Sequence, residues 1–273
     1  MRNYFFDDHK VRYELVATHE GKPFNWLFIP GGPGTDSSYY HALTDNLRLP
    51  GNTWFIDFPG NGDNVEGVPP DYDFDQWFDI FLPTITRFEN PIIVGHSFSG
   101  MFPLLFPKLE NSLKGIVILH SAPSLWLEAA DLFAKQHNLP DLSKELGAFV
   151  KDPNQKSLDA LLNAALPYYF PERTLDIGRE LLANLTIRFK PAVWWQKKVI
   201  EINYSAKWIP QKVPTLVLGG ECDAMCPFFL FQQDERFKRD NIRMVCVEGA
   251  GHFGWTENLE DFKTAFRDFV SLL

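Results

Sequence analysis

The sequence predicts an α/β protein: a mostly parallel, doubly wound central sheet with helices on both faces, interrupted once by a helical insertion. Three observations carry this. Short apolar runs recur with turn chemistry at their carboxyl ends, helical patterns separate them, and the rhythm stops between residues 124 and 206, where no strand pattern occurs. Repetition of strand, helix and strand is the sequence signature of helices layered on a parallel sheet.

Residues 11–18 open the chain as an antiparallel edge strand, with Gly21 and Pro23 marking the turn that follows. Residues 26–29 then run into Pro30-Gly31-Gly32-Pro33-Gly34, and residues 54–58 into Pro59-Gly60-Asn61-Gly62. Residues 92–94 lead to Gly95, 116–119 to His120-Ser121-Ala122-Pro123, 216–218 to Gly219-Gly220, and 244–247 to Glu248-Gly249. These runs are β-branched or aromatic and lack in/out alternation, as strands buried on both faces do. Helical patterns cover residues 75–88 and 259–273. In the strandless block, Leu125, Ala129, Leu132 and Phe133 share one helical face, and Leu158, Leu161, Leu162 and Ala165 another. Pro167 and Pro171 punctuate the block before a third face of Leu175, Leu181, Leu182 and Leu185. The organisation expected is a core of residues 1–123 and 207–273 with a lid-like helical cap at 124–206.

With 45% hydrophobic residues, including 25 Phe, 8 Tyr and 8 Trp, the chain has ample material for a core, which excludes wholesale disorder. The net charge of −9 without a basic block gives no footprint for nucleic acid or anionic lipid. Cys222, Cys226 and Cys246 neither frame a disulfide scaffold nor match C-x-x-C spacing, and Cys222 and Cys226, four apart, are expected to pack. The N-terminus turns acidic at Asp7-Asp8, where a signal peptide needs an apolar stretch, and no apolar run approaches a membrane span. A soluble, cytoplasmic protein is the expectation, with Asn184-Leu185-Thr186 and Asn203-Tyr204-Ser205 as chance glycosylation matches.

The chemistry is concentrated at strand ends. Gly95-His96-Ser97-Phe98-Ser99-Gly100 follows a buried strand and fits a nucleophile elbow, whose sharp turn needs small residues two before and two after the serine. Ser99 stands in the second small position. The glycines of residues 30–34 bring backbone N–H groups toward a reacting carbonyl, so Gly32 and Phe98 are the expected oxyanion donors. Asp223 and His252 follow the last two strands, giving the chain order Ser97, Asp223, His252. Glu221 lies too close to its strand and Glu248 precedes the histidine loop, which disfavours both as the acid. His96 is expected to pack within the elbow, while His41 and His120 are placed to approach the pocket. No histidine, cysteine and carboxylate set has metal-ligand spacing, so no metal or other cofactor is expected. Asp71, Asp73, Asp75 and Asp79 read as a solvated face opening a helix.

On these residues the sequence resembles the α/β-hydrolase superfamily over nearly its whole length. Gly31-Gly32-Pro33-Gly34 resembles the HGGPG motif of the proline iminopeptidase-like branch, and Asp57-Phe58-Pro59-Gly60-Asn61-Gly62 resembles the superfamily's D-x-x-G-x-G turn. The resemblance implies the α/β-hydrolase fold, with Ser97 as nucleophile, His252 as base, Asp223 as its orienter, Gly32 and Phe98 as oxyanion donors, and a helical cap. Pro30 replaces the motif's histidine. True iminopeptidases hold the substrate's amine with cap carboxylates, for which Glu128, Glu145, Glu172, Glu180 and Glu201 are available. Pro103, in the second turn of the helix after Ser97, should kink it or make it irregular.

The expected activity is acyl transfer to water from an ester or amide, on a small-molecule or short-peptide substrate. The block's aromatics (Trp126, Tyr168, Tyr169, Phe170, Trp194, Trp195 and Trp208) favour small apolar acyl or aminoacyl groups. Iminopeptidases, carbon–carbon bond hydrolases, cofactor-free dioxygenases and non-enzymatic binders on this scaffold are the alternatives.

Overall fold

The computed structural model describes residues 4–273, so Met1, Arg2 and Asn3, where the reading of the N-terminus begins, lie outside the described residues. Among the described residues one sheet of eight strands organises the fold: β1 (Tyr4–Phe6), β2 (Arg12–His19), β3 (Asn25–Ile29), β4 (Gly51–Asp57), β5 (Pro91–His96), β6 (Gly115–Leu119), β7 (Thr215–Gly220) and β8 (Ile242–Val247). Their spatial order is β1-β2-β4-β3-β5-β6-β7-β8. The pairs β1–β2 and β2–β4 are antiparallel and every pair from β4–β3 to β7–β8 is parallel.

All six apolar runs fall in β3 to β8. The segment at 11–18 pairs antiparallel as expected, but it is not the edge: Tyr4–Phe6 pairs outside it. Three residues are too few for a periodic signal, and their rings stay partly exposed, with Phe5 stacked on Tyr13 at 5.0 Å.

Alternate strand residues face opposite cores, which is why the runs show no polar positions. Ile93, Ile116, Ile118 and Val217 pack toward the helix Gln76–Thr86 and the short helix Phe98–Met101. Ile92, Val94, Val117, Leu119, Leu216 and Leu218 pack toward Phe262, Phe266 and Phe269 of the C-terminal helix Leu259–Val270. Both faces are therefore covered.

Between β6 and β7 the chain forms helices Leu127–Gln136, Ser143–Lys151, Gln155–Ala164, Leu166–Tyr169, Leu175–Asn184 and Phe189–Glu201. An isolated antiparallel bridge, Ser124 to Ser205, joins the two ends of this block. The second and third predicted apolar faces point inward, with Leu158 and Ala165 buried and Leu175, Leu181, Leu182 and Leu185 packed against the core. The first does not: Leu125 and Leu132 are exposed, and Ala134 is the buried residue of that helix. The acidic run also holds more than solvent, because Asp75 accepts Trp194 Nε1 at 2.7 Å and Lys198 Nζ at 3.0 Å from the helix Phe189–Glu201. No helix among the described residues is long and apolar enough to cross a membrane.

Candidate active site

Ser97, His120, Asp223 and His252 follow β5, β6, β7 and β8, four consecutive neighbours in the sheet, and Gly31 and Gly32 follow the adjoining β3. Parallel strands point their carboxyl ends the same way, so the topology alone brings these residues to one rim.

Ser97 has φ 54° and ψ −118°, a backbone conformation that a non-glycine residue adopts only when its surroundings hold it there. The cause is the tightness of the elbow. A Cβ on Gly95 would stand 2.0 Å from the Ser99 carbonyl oxygen, and one on Gly100 would stand 2.7 Å from Ser121 Cβ. Ser99, in the position where the pattern prefers glycine, turns its hydroxyl inward: Oγ accepts the His96 N–H at 2.9 Å and donates to the Ile29 carbonyl at 2.5 Å. The elbow is thereby tied to the end of β3, from which the glycine loop starts. After one α-helical turn at Phe98–Met101 the chain tightens to a 3-10 helix at Phe102–Leu105, where Pro103 supplies no N–H.

The glycine loop touches the turn at Ser97 directly. A Cβ on Gly31 would lie 2.8 Å from the His96 carbonyl oxygen and 3.0 Å from Ser97 Cβ. The N–H groups of Gly32 and Phe98 donate to no acceptor among the described residues. Around them the loop is braced. Gly34 N donates to Asn61 Oδ1 at 2.8 Å, and Gly62 N and Arg188 N each donate to the Gly34 carbonyl at 2.9 Å. Asp57 accepts the N–H and hydroxyl of Ser37 (2.7 and 2.6 Å) and Arg12 Nη2 at 2.7 Å. Burial, only partly countered by Arg12, pushes Asp57 up to about 6.

Asp223 is fully buried and crowded with donors. Met225 N and Cys226 N reach Oδ1 at 3.0 and 2.9 Å, His252 Nδ1 lies 3.0 and 2.9 Å from the two oxygens, and His120 Nδ1 lies 3.2 Å from Oδ2. Burial works against the charged form, but the facing His252 and the two histidine hydrogen bonds outweigh it and hold Asp223 well below the usual carboxylate range. An ionised carboxylate only accepts, so the proton on His252 sits on Nδ1 and leaves Nε2 free to take another.

His96 packs within the elbow with both nitrogens engaged. Gly31 N donates to the Tyr39 hydroxyl at 2.6 Å, that hydroxyl donates to His96 Nδ1 at 3.0 Å, and His96 Nε2 donates to the His252 carbonyl at 2.9 Å. Burial, with His252 and His120 nearby, pushes His96 well below the ordinary histidine range, so it stays neutral. Burial likewise raises the Cys226 thiol well above the ordinary cysteine range.

The helical block reaches the same rim. The Tyr169 carbonyl accepts His252 N at 2.7 Å and the Tyr168 carbonyl accepts Ala224 N at 3.2 Å. Arg173 Nη2 donates to the Gly249 carbonyl at 2.6 Å, and Glu257 accepts both Gly251 N at 2.5 Å and the Thr174 hydroxyl.

Ser97, Asp223, His252, Gly32 and Phe98 therefore all lie at this rim. His120 joins them, whereas His41 lies apart, half-exposed and bonded to Asp45. Glu221 turns to Gly249 N and Glu248 to solvent. Sequence reasoning missed Tyr39, Cys226 and Tyr169, which no motif contains. Linear spacing also hid that His120, Asp223 and His252 bring ligand-type atoms within 4.8 Å of one another. Those atoms are engaged in the hydrogen bonds just described.

Comparison with known proteins agrees with this layout. A Mycoplasma genitalium protein whose provisional name is esterase/lipase 1 is 22% identical over 248 residues, covering 86% of this chain and 91% of that protein. Among solved structures, a proline iminopeptidase-related protein from Thermus thermophilus superimposes with a TM-score of 0.73 at 20% identity, covering 99% of this chain and 98% of its own. An esterase from Exiguobacterium antarcticum gives 0.66 at 14% identity, with 99% and 100% covered. The sequence pattern of the alpha/beta hydrolase family matches residues 26–265, and the chain belongs to that family.

Proposed function

We propose that this chain is a serine hydrolase that cleaves an ester of a small, largely apolar acyl group through an acyl-enzyme. The observation that carries the reading is the buried Asp223 carboxylate bonded to His252 Nδ1 on the rim that carries the Ser97 elbow. Ser97 Oγ attacks the substrate carbonyl while His252 Nε2 takes its proton. The tetrahedral oxyanion lies against the N–H groups of Gly32 and Phe98. Collapse expels the alcohol, which takes the proton back from His252, and water then releases the acid by the same steps. Among the described residues the Ser97 hydroxyl and the His252 ring are not hydrogen-bonded to each other; such bonds commonly close around substrate.

In this reading residues 124–206 act as a cap on a core of residues 1–123 and 207–273, and the carbonyls of Tyr168 and Tyr169 stitch it to the acid and base loops. Neutral esters are favoured over aminoacyl substrates because Glu128, Glu172, Glu180 and Glu201 all face solvent, Glu201 paired with Lys198, and Glu145 sits beside Lys144. None of them is a buried carboxylate waiting for an amine.

A fluorophosphonate probe should label the wild type and leave Ser97→Ala unlabelled, with ester turnover falling about 10⁶-fold in the variant. Equal labelling of both proteins would remove Ser97 as the nucleophile. Turnover of prolyl amides without turnover of p-nitrophenyl esters would move the reading to an aminopeptidase.

A further inference from the structure

His120 shares the carboxylate that holds His252. Its Nδ1 lies 3.2 Å from Asp223 Oδ2, its side chain is fully buried, and its Nε2 has no hydrogen-bond partner among the described residues. Because the ionised carboxylate only accepts, the proton is on Nδ1 and Nε2 carries a bare lone pair. Protonating the ring would put an N–H beside Phe262, stacked at 5.6 Å and 16°, and Trp255 at 5.8 Å, where no acceptor is found among the described residues. Burial, with His252 close by, accordingly pushes His120 below the ordinary histidine range. It is a fixed neutral donor.

The backbone is bent to put it there. His120 has φ 43°, which a bulky residue adopts only under constraint. The constraint is visible: His120 N donates to the Leu218 carbonyl at 2.9 Å, and the next residue, Ser121, donates through Oγ to the Ser97 carbonyl at 2.8 Å. The turn after β6 thus joins the nucleophile strand to the acid strand with the imidazole inward. Oδ1 of Asp223 has two backbone donors of its own, whereas Oδ2 has only the two histidines.

We propose that His120 is a positioning residue of the hydrolytic site: by donating to Asp223 Oδ2 it fixes the plane of the carboxylate and draws off part of its charge, which sets how firmly the acid holds a proton on His252. This rests on the catalytic reading above. The other titratable groups facing the cluster are His96, Cys226, Tyr169 and Glu257. Burial keeps His96 neutral and Cys226 and Tyr169 protonated. Glu257, raised by burial and bound to Gly251 N, is common to all variants and cancels in comparison.

The test separates donor from shape. His120→Phe keeps the ring and deletes the N–H. His120→Asn keeps a donor close to the Nδ1 position and suits a positive φ. Two readouts apply: the pH dependence of fluorophosphonate labelling, and the pH midpoint of the low-field His252 ring-proton resonance by NMR, which needs no turnover. In His120→Phe the acid limb and the resonance midpoint should both move up by about half a pH unit, because an undiluted carboxylate holds the His252 proton more firmly. In His120→Asn both should stay near wild type. Coincidence of His120→Phe with wild type, or equal shifts in both variants, overturns the proposal. Should His120→Phe fail to fold, His120→Gly, free at positive φ and equally without a donor, replaces it. Absence of labelling in the wild type would end the catalytic reading, and the ring-proton midpoint would then decide this inference by itself.

Discussion

Replacing His96 by glutamine should leave the protein folded but change the pH at which it comes apart. The His96 ring accepts from the Tyr39 hydroxyl at 3.0 Å and donates to the His252 carbonyl at 2.9 Å, both deep in the core. A glutamine amide has one acceptor and a donor group, so it can fill both roles. Phenylalanine fills neither, stranding a buried hydroxyl and a buried carbonyl at about 1–3 kcal/mol each. His96→Phe should therefore cost about 2–6 kcal/mol, out of a total stability of roughly 5–15 kcal/mol. The pH dependence follows from the depressed histidine. The unfolded chain takes a proton near pH 6.5, about the ordinary histidine value, whereas the folded ring refuses it. Stability linked to His96 is thus fully present above that pH and lost as pH falls below it, until the folded ring itself protonates. Glutamine has no such proton. Between pH 6 and pH 5 the wild type should lose about 1.2 kcal/mol relative to His96→Gln. Urea melts of both proteins at pH 8, 6 and 5 measure this directly, since the remaining titrating groups are common to the pair. A constant difference across the three pH values would refute the reasoning, because it would mean that His96 binds its proton equally well folded and unfolded.

Asp57→Asn should destabilise the protein by about 3–5 kcal/mol in a calorimetric or denaturant melt, since it leaves Arg12 buried without its carboxylate and loosens Ser37. A loss below about 1 kcal/mol would show that the Asp63 contact suffices for Arg12. Gly31→Ala should reduce ester turnover at least about 100-fold, because the added methyl meets the His96 carbonyl oxygen at 2.8 Å and Ser97 Cβ at 3.0 Å and so displaces the glycine loop proposed to hold the oxyanion. A folded Gly31→Ala protein with wild-type turnover would contradict the placement of that loop.

The parts of the molecule legible in the sequence are those whose signal is local. Each of β3 to β8 is an apolar run ended by a turn, and a parallel sheet puts the ends of such runs on one rim, so the common placement of Ser97, Asp223 and His252 could be read from strand ends alone. β1 was illegible because three residues carry no period. The misjudged face of the helix Leu127–Gln136 has a similar cause: apolar spacing marks a face that can be buried, but whether a neighbour covers it is decided elsewhere, and Leu132 meets solvent. The contacts of His120, Tyr39 and Tyr169 were beyond reach for a different reason. Their partners, Asp223, His96 and His252, are 103, 57 and 83 positions away, and no pattern of residue types announces a contact of that range.

The departures from the family motif carry the most physical information, because each one asks what the usual residue would have done. A glycine at position 99 would satisfy the crowding of the elbow but offer no hydroxyl. Ser99 satisfies it and also binds His96 N on one side and the Ile29 carbonyl on the other. The Ile29 carbonyl immediately precedes Pro30, the residue that stands where the motif has histidine. The root of the glycine loop is therefore held from the elbow through Ser99, and its first glycine is held again through Tyr39 and His96, whose other nitrogen holds the His252 backbone. The Ser97 turn, the glycine loop and the His252 loop thus share one continuous chain of hydrogen bonds that does not require a side chain at position 30. In a buried network of this kind, removing one member strands its neighbours, so substitutions at Ser99, Tyr39 and His96 should be strongly non-additive in double-mutant cycles of unfolding free energy.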